Sequence, residues 1–258
     1  MNNENSSIYD FDLNLICDYF SLLQRQGPGS PEATVKALDF VKGLDEDSLI
    51  VDLGCGSGGQ TMTLAQHTPG KITGVDLFPK FIDMFNQNAR RLGLEKRVQG
   101  LVGDMGNPPF EPGSLDLVWS EGAIYNVGFE NGIKLWKTFL KAGGYLALTE
   151  ACWFSEERPA EIHDFWVDAY PEIDTIPVKM AQLQKAGYAV KACFVLPENC
   201  WTEHFFAPQK KTQPLFLSNY PSNEMAESLV KNMRREAELY DKYKEYYGYV
   251  FFIAQKTV

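Results

Sequence analysis

At 258 residues, with 45% hydrophobic and 22% charged side chains, the chain is long enough to bury its own core as one large domain, without metals or disulfide staples. A formal net charge of −10 sets its overall field against polyanions, which weighs against nucleic acid as the main partner. The five cysteines (Cys17, Cys55, Cys152, Cys193 and Cys200) include no C-x-x-C pair, which argues against a disulfide framework or structural zinc and for reduced thiols in a cytoplasmic setting.

The N-terminal Met1-Asn2-Asn3-Glu4-Asn5-Ser6-Ser7 is polar and lacks the basic and apolar regions of a signal peptide. No apolar run approaches the roughly 18 residues of a membrane span, so no membrane insertion is expected. Phe11, Leu15, Ile16, Tyr19, Phe20 and Leu23 then recur at helical spacing, until Gln26-Gly27-Pro28-Gly29 stops the pattern. Ser30-Pro31-Glu32 opens a second helix, with serine as N-cap and proline in the first turn, running to about Val41.

Beyond it, short apolar strands alternate with helices. Strands are expected at Leu49–Leu53, Lys71–Leu77, Val98–Gly103, Leu115–Trp119 and Gly144–Thr149, and helices near Gly58–Gln66, Lys80–Leu92 and Asn131–Leu140. This alternation predicts a doubly wound α/β fold, a mostly parallel sheet covered by helices on both faces. After Glu150 the regularity breaks into an aromatic stretch at 152–173. A helix at Val178–Ala186, a strand at Tyr188–Leu196, a long segment at 198–246 with a charged helix from Asn223, and a closing strand at Tyr249–Ala254 complete the chain. The last two strands are expected to pair antiparallel. The predicted plan is one domain: a helical lid at 1–43, a ligand-binding core at 44–151, and insertions at 152–173 and 198–246 over the ligand end of the sheet.

Ligands of open α/β sheets sit at the carboxyl ends of the strands. There the first strand runs into Asp52-Leu53-Gly54-Cys55-Gly56-Ser57-Gly58-Gly59, where glycines permit close backbone approach and the next helix offers unpaired N–H groups. The second strand ends on Asp76, where a carboxylate accepts hydrogen bonds from the ribose hydroxyls of an adenosine moiety, and the third ends on Asp104, within reach of an adenine amine. Leu77 and Met105 offer apolar plates for the ring. Gly54-x-Gly56-x-x-Gly59 also satisfies the dinucleotide fingerprint, but Asp52 would repel a pyrophosphate, whereas it suits the α-ammonium of a methionine moiety. Singly, Asp52 reads as a helix N-cap and Asp76 as a turn former; it is the three strand-end acids together with the glycine loop that point to a nucleotide-type ligand.

These motifs resemble the class I S-adenosylmethionine-dependent methyltransferases. Val51 to Gly58 is similar to their first motif, Gly74-Val75-Asp76 to the second, Gly103-Asp104-Met105 to the third, Leu115 to Gly122 to the fourth and Leu140 to Leu146 to the fifth. Within that superfamily the chain looks like the small-molecule branch that includes quinone and sterol methyltransferases. The resemblance implies S-adenosyl-L-methionine as cofactor and a small-molecule methyl acceptor. It implies that Asp52, Gly54, Gly56 and Gly58 cradle the methionine end, that Asp76 and Leu77 take the ribose and adenine, and that Asp104 and Met105 take the adenine edge. Glu121 falls where sulfonium and acceptor meet.

Methyl transfer is an in-line displacement, and a base helps only when the acceptor has a proton to lose. Glu121 and Tyr125, just after the fourth strand, are the catalytic candidates, Glu121 as a polar group or base at the methyl. Trp119, Tyr125, Trp153 and Trp201 are candidate acceptor walls, whereas Trp136 and Trp166 read as core. Asn126 is a further acceptor-side candidate; His163 and His204 read as ordinary surface or packing histidines, and His67 as the end of a helix. Tyr9 and Phe11 are placed in the lid. Two other functions stay open: a nicotinamide-dependent oxidoreductase, and a cofactor-binding protein of this fold without turnover. Amino-base methylation is disfavoured, because Ser120-Glu121-Gly122-Ala123 stands where an Asn-Pro-Pro-Tyr signature would be, and Asn107-Pro108-Pro109-Phe110 follows the wrong strand.

Overall fold

The structure is a computed structural model that describes residues 11–257. Tyr9, assigned above to the lid, lies outside the described residues, as does the polar N-terminal run.

Two short helices come first. In α1 (Leu13–Phe20), the Asp12 carboxylate accepts the Asn14 and Leu15 N–H groups. In α2 (Pro31–Leu38), Ser30 caps through the Ala33 N–H with Pro31 in the first turn, as its sequence predicts. The core follows as β1 (Leu49–Leu53), α3 (Gly59–His67), β2 (Lys71–Asp76), α4 (Pro79–Arg91), β3 (Val98–Val102), β4 (Leu115–Ser120), α5 (Phe129–Phe139) and β5 (Leu140–Trp153). The rest comprises α6 (Ala160–Ala169), β6 (Asp174–Thr175), α7 (Ile176–Lys185), β7 (Tyr188–Val195), α8 (Asn199–Trp201), a π-helical turn at Thr202–Phe206, α9 (Ala207–Asn219), α10 (Glu224–Tyr243) and β8 (Tyr247–Lys256).

The main sheet runs in the order β3-β2-β1-β4-β5-β8-β7, with β6 beside β5. Pairing is parallel from β3 to β5, and β8 lies antiparallel between β5 and β7. Strand order reverses beside β1, so the loops that follow β1 and β4 part at that point, where ligands of such sheets bind. Buried β1, β4 and β8 are continuous apolar runs because both faces are covered.

Sequence and structure differ in three places. The fifth strand begins at Leu140, which pairs with Leu115 and draws the expected glycine turn into the ladder as a bulge. The aromatic stretch contains α6, whose inward face is Ile162 and Trp166. The long final connection is helical from Asn199, and α9 carries Pro214 in its interior, which masks the helical pattern in the sequence.

The first and last helical segments share a core of their own. Phe11, Tyr19, Phe20 and Leu23 pack with Phe205, Phe216, Leu229 and Met233. Inside it Tyr19 donates to Gln209 Oε1 at 2.9 Å and receives Gln213 Nε2 at 3.0 Å. Asp18 ties this cap to the sheet layer, pairing with Lys80 at 2.6 Å and accepting the Tyr220 hydroxyl. No helix among the described residues is long and apolar enough to cross a membrane.

Candidate active site

The glycine loop leaves β1 with Gly54, Gly56 and Gly58 all at positive φ (75°, 53° and 88°). At Gly54 and Gly56 a close approach adds to that constraint. A Cβ on Gly54 would lie 2.3 Å from the Ala123 Cβ, and one on Gly56 would lie 2.1 Å from Gln26 Oε1. The Gly54 and Cys55 N–H groups both donate to the Val75 carbonyl, which pins the loop to β2. Asp76 completes the link: its carboxylate accepts Gly56 N–H at 2.9 Å and Phe78 N–H at 3.0 Å. One side chain thus fixes the glycine loop and the turn into α4.

Above the loop lies a cavity of about 460 Å³, within the range of small-molecule sites. Gly54, Gly56, Asp76, Leu77, Met105, Glu121 and Tyr125 border it, and Phe11, Ile16 and Phe20 from the N-terminal segment roof it. Leu77 is 58% exposed, an apolar side chain held at the cavity edge.

Asp52 lies beneath this floor rather than on it, fully buried. One oxygen accepts the Thr61 hydroxyl at 2.5 Å, and Oδ1 has no partner. Burial is the main force pushing its carboxyl up to about 7, and Glu121 adds to it; Thr61, Gln60 and Arg25 pull the other way. The native protein therefore holds this proton between the usual carboxyl range and about pH 7, where the unfolded chain has released it. Asp52 favours folding at low pH, and that contribution is lost as pH rises through the window. Asp52→Asn is expected to gain stability relative to the parent as pH rises from about 5 to 8. Urea unfolding at several pH values measures this, and a pH-independent difference between the two proteins would refute it.

Gly58 and Asp104 stand outside the cavity lining. Gly58 is the N-cap of α3, where a Cβ would meet the Phe85 ring at 2.7 Å. Asp104 is exposed and spends Oδ1 on the Gly106 N–H at 2.7 Å; Gly103 and Met105 are the lining residues at that strand end.

Glu121 borders the cavity, but its carboxylate is committed. Oε1 accepts Thr34 Oγ1 at 2.7 Å and Trp119 Nε1 at 2.9 Å, and Oε2 pairs with Arg25. Both of its oxygens are thus spent on donors from the protein itself, one of them a cation. Its partners include the chain at Arg25 and α2. Gln26 fastens the same segment to the glycine loop: Oε1 accepts Ser57 N–H at 2.9 Å, and Nε2 donates to the Leu23 carbonyl at 3.0 Å. The sequence offered no signal for Arg25 or Gln26, since neither belongs to a motif and both reach their partners only through the fold.

Tyr125 lies where this cavity adjoins a second chamber of about 140 Å³, and it borders both. Trp166, read from the sequence as core, lines that chamber. Trp119, Trp153 and Trp201 are instead buried core residues, with Trp201 stacked on Tyr240 at 4.6 Å. Asn126 borders the first cavity. Among the histidines, His163 stacks near Trp153 and meets Arg158, and His67 lies against the Thr63 carbonyl; neither they nor His204 line a chamber.

A mostly parallel sheet with one antiparallel strand near its edge, and a glycine loop at the end of β1 beside β4, define a Rossmann-like fold. Residues 50–144 match the family described as methyltransferase domain. It is similar to geranyl diphosphate 2-C-methyltransferase of Streptomyces ambofaciens, 29% identical over 116 residues, covering 45% of this chain and 40% of that relative. The matched segment thus spans about two fifths of the length of that relative. Its fold is like that of two solved structures with S-adenosyl-L-homocysteine, described as SAM-dependent methyltransferases. The one from Geobacter sulfurreducens has a TM-score of 0.81 at 21% identity, covering 95% of this chain and 98% of that one. The one from Thiobacillus denitrificans has a TM-score of 0.81 at 23% identity, with the same coverage.

Proposed function

We propose that the protein is an S-adenosyl-L-methionine-dependent methyltransferase acting on a small molecule. The observation that carries the reading is the cavity built on the glycine loop. Gly54 and Gly56 bring bare backbone to its floor, Asp76 presents a carboxylate to it, and Leu77 and Met105 flank it with apolar surface. The unpartnered Oδ1 of buried Asp52 supports a cationic amino group above the loop, because such a charge would relieve the cost of ionising it. A pyrophosphate in that place would raise the cost instead, which disfavours a dinucleotide.

In this reading Gly54 and Gly56 receive the methionine end, with Asp52 acting from beneath, and Asp76 binds the ribose hydroxyls. Leu77 and Met105 hold the adenine. Bound there, the cofactor supplies an electrophilic methyl group on a positively charged sulfur. The protein's share is alignment and exclusion of water. The roof of Phe11, Ile16 and Phe20, latched through Gln26 and the Arg25–Glu121 pair, provides the second. Tyr125 borders both chambers, which supports its role as an acceptor contact. Resemblance to geranyl diphosphate, sterol and tocopherol methyltransferases supports the small-molecule branch, and the net charge of −10 supports an acceptor other than nucleic acid. A cytoplasmic location accords with the scattered free cysteines.

Calorimetric titration is the direct test. S-adenosyl-L-homocysteine is expected to bind in the micromolar range or tighter, and NAD to show no heat. Binding of NAD without S-adenosyl-L-homocysteine would overturn the reading. A metabolite extract supplied with labelled methyl donor would then identify the acceptor.

A further inference from the structure

The second chamber has an unusual charge arrangement. Two carboxylates line it, Glu150 and Glu236. Glu150 is neutralised within the protein: its Oε1 accepts Lys179 Nζ at 2.6 Å and the Tyr170 hydroxyl at 2.7 Å. Glu236, on the inner side of α10, has no hydrogen-bond or ion-pair partner among the described residues. The cations that could have served it act elsewhere. Arg234 donates to Gln213 at 2.8 Å, Lys179 is held by Glu150, and Arg25 by Glu121. The charge of Glu236 bears on the phenols Tyr19 and Tyr247, which cannot neutralise it.

The walls around this carboxylate are aromatic: Phe165, Trp166, Tyr170, Phe205 and Tyr249. Glu236 is half-buried on the chamber wall; an anion without a counter-charge there is costly, and withdrawal from water pushes its carboxyl up to about 7. A ligand cation removes that cost, and aromatic rings favour a cation further. The chamber adjoins the cavity across Gly27, Gly122 and Tyr125, which border both.

We propose that the second chamber is the acceptor site and that it takes an amine with an apolar body, its ammonium paired with Glu236 and its carbon skeleton among the aromatic walls. This deepens the methyltransferase reading and rests on it for the word acceptor; the amine site itself stands on Glu236 and its walls. A neutral alcohol of the same shape would fill the walls but leave Glu236 unmatched, and a carboxylate would place two anions together.

The test uses 2-phenylethylamine as the probe and 2-phenylethanol as its neutral counterpart. Both are titrated into the full chain, with saturating S-adenosyl-L-homocysteine, for the parent and Glu236→Gln. The amine is expected to bind the parent at least about tenfold more tightly than the alcohol, and to lose about tenfold in Glu236→Gln, while the alcohol changes little. An amine that fails to bind, binds both proteins equally, or is matched by the alcohol in the parent overturns the proposal. The preference for amine over alcohol is read in the parent and holds whether or not the variant folds. S-adenosyl-L-homocysteine affinity, measured by itself, separates the two ideas. If it binds and the amine does not discriminate, only the amine site fails; if it does not bind, the cofactor reading fails and amine binding without it is judged on its own.

Discussion

Asp76→Ala is expected to weaken S-adenosyl-L-homocysteine binding by about tenfold or more. Two losses combine. The proposed hydrogen bonds from the ribose hydroxyls are charge-assisted, and such bonds are about twice as strong as neutral ones. The same carboxylate also holds the Gly56 and Phe78 N–H groups, so its removal loosens the glycine loop that shapes the cavity floor. Asp76→Asn separates these contributions, since an amide oxygen can still accept a backbone N–H but carries no charge. Calorimetry on the three proteins is the measurement. Unchanged affinity in Asp76→Ala would exclude the ribose assignment; a loss in Asp76→Ala that Asp76→Asn fully restores would assign the effect to the loop.

Glu121→Ala is expected to lower stability by about 3–5 kcal/mol, the usual consequence of removing one partner from a buried ion pair. Arg25 would remain buried with its charge uncompensated, and the Thr34 hydroxyl and Trp119 indole N–H would lose their acceptor. Replacing both members, as in Arg25→Met with Glu121→Leu, is expected to recover much of that loss, because no charge is then stranded. Urea midpoints for the single and double variants close the cycle. A Glu121→Ala protein as stable as the parent would show that the pair does not hold the cap. Glu121→Gln keeps acceptor capacity for Thr34 and Trp119, so its loss should be smaller.

These two acids show how differently position can be read. Asp76 was legible because it ends a strand next to a glycine loop, and the strand pattern places it whatever the rest of the chain does. Glu121 was legible as a residue at the same end of the sheet, but its partners were not. Arg25 lies 96 residues away in the chain, and no periodicity links the two. Trp166 and Trp153 make the same point. Both stand in an aromatic stretch, and only the packing of α6 against β8 puts one on a chamber wall and the other in the core.

By itself the sequence determined the parallel sheet, the loop after its first strand and the acids at the next two strand ends. Those features arise from local period, turn chemistry and spacing, which act over a few residues. Only the tertiary structure decided that residues 11–38 and 199–243 meet over the sheet, that Glu121 is consumed by Arg25, and that Glu236 has no counter-charge among the described residues. Each depends on which distant side chains arrive at one place, and on whether burial there leaves a charge matched or alone.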